Sequence, residues 1–522
     1  MPTIFDRSTL ASLRSRVDRV AIALQAARVP ELLRQAEAAL SESRLIEFRL
    51  DALDKPTTAI APLRRFLADA RERHSDLLAI ATCRRKPHGG NFRGTLKEEL
   101  AILTHAATAG CSIVDLEVES AEEAAAAQID ALRQTGAALL ISFHDFHRFA
   151  DPAAALERIQ RFQPDFAKII PTAQSLADSL RLLRWLEQAS NHAQIVALAM
   201  GEQGALSRIL CLRAGAAFTF ASATEETATA PGQFTAQAMR EVFRAEQIDK
   251  ATRIYGVAGN PVAHSLSPLM QNAAFRRERY DAVYLPLLVH SMDDLLEAVR
   301  ELPISGLSIT MPFKQQIMPH LANLDPLSAR LGACNTVRLG ADRRLYGFNT
   351  DVAGVVRPLE RRLPLRGARV LVLGAGGAAR AAVFGLVEKG AHVFLCGRNE
   401  SIAAQLAQEA GAVAIPRTLV PDQSFDVLVN ATPCGMAGQS QSLPLQPEEW
   451  NARVVFDLVY NPLETPLLRL ARERGCTVIQ GVEMFVQQGA RQFELWTGKP
   501  APEAEMMRTV LHALQRAQTV GA

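Results

Sequence analysis

Residues 370–387, VLVLGAGGAARAAVFGLV, form the clearest local motif in the second half of the chain. An apolar run leads into Gly374-x-Gly376-x-x-Ala379, and a helical pattern follows. The first glycine permits a tight turn, the second lets the backbone approach a pyrophosphate, and the small third residue packs the helix on the strand. The helix N-terminus supplies N–H groups and partial positive charge. The pattern predicts a nucleotide-binding domain, although a purely structural strand–helix turn would use the same small residues.

The strand that follows indicates which nucleotide is bound. AHVFLC, residues 391–396, leads into Gly397-Arg398-Asn399. NAD-binding folds usually carry an acidic residue here for the ribose 2′-hydroxyl, whereas an arginine accommodates a 2′-phosphate. Arg398 therefore points to NADP, although Glu400 lies two residues further on and Arg398 could also be an ordinary surface charge.

Polar motifs upstream of the glycine-rich turn indicate a substrate-binding region. They are GNPVAHSLSP (259–268), TMPFK (310–314), GACNT (332–336) and GFNTD (347–351). Their serine, lysine, asparagine and aspartate side chains suit a polyhydroxylated ring better than an apolar substrate. A lysine–aspartate pair near a carbonyl offers a proton donor and an acceptor that fixes it, as hydride transfer to a ketone requires. Taken separately, each motif could be a turn or a helix cap.

Together with NATPCGM (430–436), DLVYNPLETPLL (457–468) and GVEMFVQQG (481–489), these motifs resemble shikimate dehydrogenase over about residues 253–520. The resemblance implies that Lys314 and Asp351 are the catalytic pair and that Lys314 protonates the C3 oxygen as NADPH delivers hydride. The implied shikimate-binding residues are Ser265, Ser267, Thr310, Asn335, Asp351, Tyr460 and Gln488. The implied cofactor-binding residues are Gly374, Ala375, Gly376, Gly377, Ala378, Ala379, Arg398, Asn399, Thr432, Met436 and Gly481.

Two departures from the shikimate dehydrogenase pattern stand out. Gln271-Asn272 occupies the place where the family usually has His-Asn, and we expect this change to be structural. Gly397-Arg398-Asn399 replaces the Asn-Arg-Thr turn of many members. The second departure leaves open how strictly the chain prefers NADP over NAD.

In the first half of the chain, short apolar runs alternate with segments of helical periodicity. The runs are VAIALQ (20–25), LIEFRL (45–50), LLAIATC (77–83), SIVDLEV (112–118), ALLISFH (138–144), FAKII (166–170), QIVALAM (194–200) and AFTFAS (217–222). Eight strands alternating with helices predict a (β/α)₈ barrel. An open doubly wound sheet would give the same local pattern.

In such a barrel, chemistry lies where the strands end. The ends of the predicted strands carry Glu47, Arg49, Asp51, Arg84, Glu117, Glu119, His144, Asp145, Lys168, Arg208 and Ser222. A lysine buried among cations has its charged form disfavoured, so it could act as a neutral amine and form a Schiff base with a ketone. A nearby histidine could then move a proton, and arginines suit a carboxylate. Any one of these residues could instead be a salt-bridged strand end.

The motifs EFRLD (47–51), TCR (82–84), SFHDF (142–146), MGEQGALSR (200–208) and ASATEETATAPGQ (221–233) resemble type I 3-dehydroquinate dehydratase over about residues 15–245. The resemblance implies that Lys168 forms an imine with the C3 ketone of 3-dehydroquinate. His144 would take the C2 proton and return a proton to the leaving hydroxyl, giving 3-dehydroshikimate. The implied substrate-binding residues are Glu47, Arg49, Arg84, Arg208, Ser222 and Gln233.

One position departs from the dehydratase pattern. His88-Gly89-Gly90 stands where the family usually reads Glu-Gly-Gly, and that Glu normally lies near the catalytic histidine. The replacement predicts that a negative charge is lost beside His144. Loss of an opposite charge would lower the pKa of His144.

We therefore expect an α/β protein in which an N-terminal (β/α)₈ barrel is fused to a two-lobed dehydrogenase with a Rossmann-type NADP domain. The barrel is expected over residues 1–247 and the dehydrogenase over 253–522, joined by the short polar segment EQIDKAT (246–252). Within the dehydrogenase we expect a substrate lobe at about 253–355, completed by C-terminal helices at about 485–522, and an NADP-binding lobe at about 356–484. The expected activity is dehydration of 3-dehydroquinate followed by NADPH-dependent reduction to shikimate. A quinate-preferring catabolic dehydrogenase and a catalytically silent metabolite sensor are the alternatives.

Composition limits the partners. The 57 Lys+Arg and 55 Asp+Glu leave a net charge of +2, which gives no electrostatic reason to expect nucleic acid or an anionic membrane. The N-terminus has no uninterrupted apolar region typical of a secretion signal, and no stretch approaches the ~20 apolar residues of a membrane span. The seven cysteines are scattered without metal-ligand spacing. We expect a cytoplasmic enzyme that uses NADP(H), no metal and small-molecule substrates, and composition leaves its oligomeric state open.

Overall fold

The computed structural model describes residues 18–227, 232–263, 265–438 and 442–520. Residues 1–17 of the predicted barrel, residues 228–231 of the ASATEETATAPGQ motif and His264 of the GNPVAHSLSP motif lie outside the described residues. The described chain divides into two compact units. The first runs up to Thr252 and includes Leu287–Pro303, and the second comprises Arg253–Pro286 and the residues from Ile304 onward. The division after Thr252 falls at the join that the sequence indicates. The predicted domain limits stay predictions. They place residues 287–303 in the substrate lobe, whereas the division into compact units groups these residues with the first half.

The first unit is built on eight parallel strands, and each predicted apolar run contains one of them. They are β1 (Val20–Leu24), β2 (Leu45–Arg49), β3 (Leu78–Thr82), β4 (Ile113–Glu117), β5 (Ala138–His144), β6 (Phe166–Ile170), β7 (Ile195–Ala197) and β8 (Thr219–Ser222). Their order is β7-β6-β5-β4-β3-β2-β1-β8, so that β8 returns to pair with β1. The Ala217 N–H donates to the Ile195 carbonyl across the remaining gap. The sheet is a nearly closed barrel, and the open doubly wound alternative is excluded.

The helices of the first unit begin where the sequence supplies caps. Thr95 and Ser175 each form a capping box with an acidic residue three positions later, and Asp151 caps a helix that starts with Pro152. The helices are α1 (Val29–Ala39), α2 (Ile60–Arg73), α3 (Leu96–Thr108), α4 (Val118–Glu123), α5 (Ala126–Gln134), α6 (Pro152–Gln160), α7 (Leu176–Ala189) and α8 (Ala205–Leu210), with a π-helical turn at Ala238–Val242.

After Arg253 the chain forms a mixed sheet and then a parallel one. The mixed sheet has the order β10-β9-β11-β13-β14-β12, where β9 and β11 are parallel and β13 pairs antiparallel with both β11 and β14. Its strands are β9 (Arg253–Gly259), β10 (Ala282–Leu288), β11 (Ile304–Ile309), β12 (Asn323–Leu324), β13 (Thr336–Leu339) and β14 (Leu345–Phe348).

The parallel sheet has the order β17-β16-β15-β18-β19-β20. Counted from β15, this is the order 3-2-1-4-5-6 of the Rossmann fold. The predicted Rossmann-type domain is therefore confirmed. Its strands are β15 (Arg369–Leu373), β16 (His392–Cys396), β17 (Val413–Ala414), β18 (Phe425–Asn430), β19 (Ala452–Asp457) and β20 (Thr477–Ile479).

The helices that follow Arg253 are α9 (Ser267–Arg277), α10 (Met292–Glu301), α11 (Pro326–Leu331), α12 (Asp351–Glu360), α13 (Gly377–Glu388), α14 (Glu400–Ala410), α15 (Pro466–Glu473), α16 (Gly481–Thr497) and α17 (Glu503–Val520). Within the described part of the chain, none of the helices combines the length and the apolar character needed to span a bilayer.

Two candidate active sites

Strand alternation places the first candidate site above the apolar interior of the barrel. On β4, Ile113 belongs to the buried interior cluster, and Asp115 and Glu117 follow at every second position on the same face. On β6, Phe166 lies in the cluster and Lys168 follows in the same way. The polar side chains therefore gather at the carboxyl ends of the strands, where a barrel carries its chemistry.

Lys168 faces carboxylates. Its Nζ donates to Oδ2 of Asp115 at 2.9 Å and lies 3.6 Å from Oε1 of Glu47, while the Phe220 ring centroid is 4.2 Å away. Burial alone would raise the pKa of Asp115, but Lys168 and Arg84 hold it well below its usual range. The expectation that cations surround Lys168 is therefore wrong, because its nearest charged neighbours are carboxylates. This environment stabilises positive charge at Nζ.

His144 is held by a buried carboxylate. Its Nδ1 lies 3.0 and 3.1 Å from the two carboxylate oxygens of Glu117, which also accepts hydrogen bonds from Arg84 Nε at 2.7 Å and from the Ser142 hydroxyl at 2.9 Å. Burial raises the pKa of Glu117. An imidazole that donates from Nδ1 keeps Nε2 as its basic nitrogen. Glu117 thereby selects the tautomer in which His144 can act as a base.

The pKa of His144 is lowered in the predicted direction, but for other reasons. Burial is the main cause, and the neighbouring cations Arg84 and Lys168 add to it. His88, whose replacement of a Glu motivated the prediction, lies with its Nε2 3.0 Å from Arg85 Nη2. A carboxylate does lie beside His144, and it comes from Glu117.

Most of the residues predicted for this site line one cavity of about 170 Å³: Glu47, Arg49, Arg84, His144, Lys168, Arg208 and Gln233. Ser222 does not line it. Ser222 is fully buried at the end of β8, where its N–H donates to the Phe234 carbonyl at 3.0 Å. This bond holds the segment next to Gln233.

Arg208 is the cation of the cavity best suited to an anionic ligand. It is 3% exposed, and burial lowers its pKa to about 10. Its buried Nε has no hydrogen-bond partner among the described residues. A buried guanidinium in that state is stabilised by a carboxylate, which can pair with it through two hydrogen bonds.

Sequence reasoning missed Asp115 and gave Glu117 no role. Both belong to the run SIVDLEV, which was assigned to a strand for its apolar residues. Two acidic residues at alternate positions of a buried strand share one face, and burying both without cationic partners would be very unfavourable. That spacing is the signal that could have identified them.

The second candidate site is built around Lys314. Its Nζ donates to Oδ2 of Asp351 at 2.6 Å, and Oδ1 of Asp351 accepts from Asn335 Nδ2 at 2.8 Å. The Thr350 N–H donates to Oδ1 of Asn335 at 2.8 Å, which fixes the orientation of the amide. Asp351 opens α12, Lys314 follows β11 and Asn335 directly precedes β13. The predicted pair and Asn335 thus come from three separate segments.

A cavity of about 450 Å³ surrounds this pair. Its walls include all the predicted catalytic and substrate-binding residues of the second half: Ser265, Ser267, Thr310, Lys314, Asn335, Asp351, Tyr460 and Gln488. Ser308 and Gln492 line it as well, and Ser308 donates to Oε1 of Gln492 at 2.9 Å. Gln492 was not predicted. It lies four residues after Gln488 on α16, so both side chains share one helix face.

The glycine-rich turn has the shape of a phosphate cradle. Gly374 has φ +106°, and a Cβ there would lie 3.0 Å from the Ala431 carbonyl oxygen. A Cβ added at Gly376 or Gly377 would meet no atom of the described residues within 4 Å, so this side of the turn is open. Gly376 precedes α13 and provides no side-chain cap, which leaves N–H groups at the helix start for a ligand. These residues fit the diphosphate of a dinucleotide.

The other predicted cofactor residues lie at several places. Arg398 is exposed directly after β16, and Asn399 caps α14 by accepting from the Ile402 N–H at 3.1 Å. Thr432 and Met436 follow β18. Gly481 lines the Lys314 cavity. In the described parts of the chain, no group of three or more His, Cys, Asp or Glu residues is placed to hold a metal ion.

Comparison with known proteins finds a different family in each half of the chain. The type I 3-dehydroquinase family matches residues 20–250, the shikimate dehydrogenase substrate binding domain matches 257–337, and the shikimate 5′-dehydrogenase C-terminal domain matches 481–511. A bifunctional 3-dehydroquinate dehydratase/shikimate dehydrogenase of Arabidopsis thaliana is 33% identical over 482 residues, which cover 88% of this chain and 78% of the relative.

Two further similarities concern the second half. A shikimate dehydrogenase (NADP(+)) of Maridesulfovibrio salexigens is 40% identical over 270 residues, 51% of this chain and 98% of the relative. The solved structure of shikimate 5-dehydrogenase from Thermus thermophilus, in complex with NADP(H) and shikimate, is 36% identical. It covers 50% of this chain and 100% of that chain, with a TM-score of 0.47.

Proposed function

The chain belongs to the family of bifunctional 3-dehydroquinate dehydratase/shikimate dehydrogenases, and on that premise we propose how its own residues carry the two reactions. The barrel dehydrates 3-dehydroquinate to 3-dehydroshikimate, and the second unit reduces this product to shikimate with NADPH. The observation that carries the proposal is the pair of complete constellations, Lys168 with His144 in one cavity and Lys314 with Asp351 in another. Neither a silent sensor nor a catabolic quinate dehydrogenase is favoured.

In the dehydratase site, Lys168 is the nucleophile. Its ammonium first gives up a proton, and the neutral amine attacks the C3 ketone. The hydroxyl of the resulting carbinolamine takes up that proton and leaves as water, so that a positively charged iminium forms at Nζ. Asp115 at 2.9 Å and Glu47 at 3.6 Å stabilise that charge as they stabilise the ammonium. The iminium then accepts the electron pair released when the proton on C2 is removed.

His144 moves the protons. Its Nε2 takes the C2 proton, because Nδ1 is engaged by Glu117. The resulting enamine expels the neighbouring hydroxyl, to which His144 returns the proton, so that water leaves. Hydrolysis of the imine releases 3-dehydroshikimate and regenerates Lys168. Arg208 pairs with the substrate carboxylate, which satisfies its buried guanidinium.

In the dehydrogenase site, Lys314 donates the proton that the C3 oxygen takes up on reduction. Asp351 and Asn335 hold the lysine in place through bonds of 2.6 and 2.8 Å. NADPH, when bound, supplies the hydride. The open turn at Gly374–Gly377 suits its diphosphate, and Arg398 suits its 2′-phosphate.

A coupled assay tests the proposal. The whole chain is mixed with 3-dehydroquinate and NADPH, and NADPH oxidation is followed by its absorbance. We expect oxidation that begins after a lag as 3-dehydroshikimate accumulates. Absence of oxidation with either 3-dehydroquinate or 3-dehydroshikimate would favour the sensor instead. A higher kcat/KM for quinate with NAD than for shikimate with NADP would favour the catabolic enzyme.

The cysteines support the predicted location. All seven are free thiols, and five of them are buried. Free thiols are typical of a chain that folds in a reducing compartment. We therefore keep the cytoplasm as the proposed location, which cell fractionation would test.

A further inference from the structure

Asp457 is a buried carboxylate that neither proposed reaction uses. It is the last residue of β19, has no exposed surface, and is surrounded by uncharged hydrogen-bond donors in the described structure. Asn430 Nδ2 donates to its Oδ1 at 2.9 Å, the Val459 N–H donates to the same oxygen at 3.1 Å, and the Thr465 hydroxyl donates to Oδ2 at 2.6 Å. Burial raises the pKa of Asp457 to about 6. Burying a carboxylate without a neighbouring cation is unfavourable, so the presence of Asp457 at this position needs an explanation.

The first bond leads to the place where strand order reverses. Asn430 ends β18, opposite Leu373 at the end of β15 on one side and Asp457 on the other. The crevice between β15 and β18 is the switch point of the 3-2-1-4-5-6 order, where such sheets bind their ligands. Asn430 therefore lies at the floor of the expected cofactor site.

Asp457 determines which way the Asn430 amide faces. Because the carboxylate can only accept, Nδ2 of Asn430 points to it and Oδ1 is turned towards Thr432. That oxygen accepts from the Thr432 N–H at 3.1 Å and from its hydroxyl at 2.6 Å. The Thr432 methyl in turn lies 3.2 Å from the position a Cβ would occupy on Gly374. Asp457 thus orients the Asn430 amide, and this amide positions Thr432 in the loop beside the glycine-rich turn.

The second bond leads to the substrate cavity. The Val459 N–H that donates to Asp457 directly precedes Tyr460, which lines the Lys314 cavity. The Tyr460 ring stacks on Phe485, with ring centroids 5.0 Å apart and an interplanar angle of 24°. Thr465, the third partner of Asp457, ends the same segment. Its hydroxyl also caps α15 by accepting from the Leu468 N–H at 3.3 Å.

We infer that Asp457 is a positioning residue that acts along two chains of contacts. The cofactor arm positions Thr432 at the cofactor crevice through Asn430, and the substrate arm positions Tyr460 at the substrate cavity through Val459. The inference rests on the proposed dehydrogenase function. It assigns the two arms different kinetic consequences, since one ends beside the cofactor and the other beside the substrate.

Steady-state kinetics of variants of the whole chain separate the arms. Asn430→Ala should raise the KM for NADPH about tenfold and leave the KM for 3-dehydroshikimate unchanged, since a lost hydrogen bond to a charged group has about this effect. Asp457→Ala should raise both KM values. In the double variant the KM for NADPH should be no higher than in Asp457→Ala alone, because the two residues act through one chain. Asp457→Asn should have the KM values of the wild type for both NADPH and 3-dehydroshikimate, because the asparagine amide oxygen still accepts from Asn430 and Val459.

Controls separate positioning from general damage. Asp426→Asn changes a carboxylate at the other end of β18, where it accepts from the Arg369 N–H at 3.0 Å, and should leave both KM values unchanged. The dehydratase rate of each preparation serves as an internal reference. Should Asp457→Ala fail to fold, Asn430→Ala and Asp457→Asn still carry the test.

Two results would overturn the inference: an Asn430→Ala variant with unchanged KM for NADPH, or an Asp457→Asn variant with both KM values raised. A wild-type chain that reduces no ketone would instead reject the proposed function. In that event a fluorescence titration with NADPH would still test the cofactor arm, where Asn430→Ala should weaken binding about tenfold.

Discussion

The two halves of the chain use the same ion pair in opposite surroundings. Lys168 and Asp115 lie 2.9 Å apart with side chains 6% and 1% exposed, whereas Lys314 and Asp351 lie 2.6 Å apart with side chains 36% and 14% exposed. Lys168 also has a second carboxylate, Glu47, and an aromatic ring at its side. Lys314 opens onto a cavity of about 450 Å³.

The two lysines therefore differ in burial more than in pairing, and this difference suits them to different reactions. A lysine enclosed by carboxylates is suited to carry a positive charge through a covalent iminium. A lysine at the edge of a wide cavity can recover a proton from solvent after each turnover, as a general acid must. In the proposed mechanism, the same pair serves covalent catalysis in the barrel and proton donation in the dehydrogenase.

The largest expected effect is on Lys168. Lys168→Ala should lower the dehydration rate at least about 10⁴-fold, because the covalent route is lost, and should leave ketone reduction unchanged. Borohydride with 3-dehydroquinate should trap an adduct, seen by mass spectrometry, in the wild type and in a Lys250→Ala control. Lys250 is an exposed lysine of the same unit, paired with Glu187. A wild-type chain that gives no adduct would contradict the imine.

A smaller loss is expected at Lys314. Lys314→Ala should slow the reduction of 3-dehydroshikimate about 10²–10³-fold, the usual contribution of a general acid, and should spare dehydration. The matched control is Lys389→Ala, which removes an exposed lysine paired with Glu360 in the same unit. Equal loss of both activities would show that the substitution damages the fold rather than the site.

Glu117 tests whether dehydration in the barrel depends on an oriented imidazole. Glu117→Gln should lower the dehydration rate about 10–100-fold, because the charge-assisted hydrogen bond to His144 Nδ1 is worth roughly 1.5–3 kcal/mol. Trapping by borohydride should persist, since Lys168 is untouched. A fall in trapping that matches the fall in rate would assign Glu117 to imine formation instead.

The pH dependence of dehydration follows from the lowered pKa of His144. Burial, with Arg84 and Lys168, disfavours the protonated ring, so the basic form persists to lower pH than for an ordinary histidine. The acid limb of kcat/KM for 3-dehydroquinate should therefore lie below about 6.5. A limb at or above that value would mean that another group controls the rate.

The smallest effect is expected at Arg398. Because its side chain is exposed, Arg398→Ala should raise the KM for NADPH only about fivefold and leave the KM for NADH unchanged. Arg453→Ala, another exposed arginine of the same unit, is the control. If both cofactors lose affinity equally, Arg398 does not read the 2′-phosphate.

Much of this architecture is visible in local patterns. The eight barrel strands coincide with apolar runs, and the glycine-rich turn predicts the sheet whose order proved to be 3-2-1-4-5-6. Such patterns depend on residues adjacent in the chain, where periodicity and turn chemistry act directly. The motifs around Lys314 were predicted for the same reason, and the structure brings them to one cavity.

The neighbours of the functional groups were less predictable. The contact between Asp115 and Lys168 joins β4 to β6 across the intervening β5, and a linear pattern does not show which strands lie side by side. His88 drew attention through its place in a motif, yet Glu117 holds His144. Ser222, predicted to bind substrate, lies at the end of β8, where its N–H donates to the Phe234 carbonyl.

The classes of element, the two halves of the chain and the residue types available for chemistry follow from the amino-acid sequence. The charge around Lys168 depends on the tertiary structure, because closing the barrel brings Asp115 and Glu47 from separate strands to Lys168. The same holds for Asp457, whose partners Asn430 and Thr465 come from a neighbouring strand and a helix cap. Electrostatic interactions depend on distance in space and on burial, and neither can be read from distance along the chain.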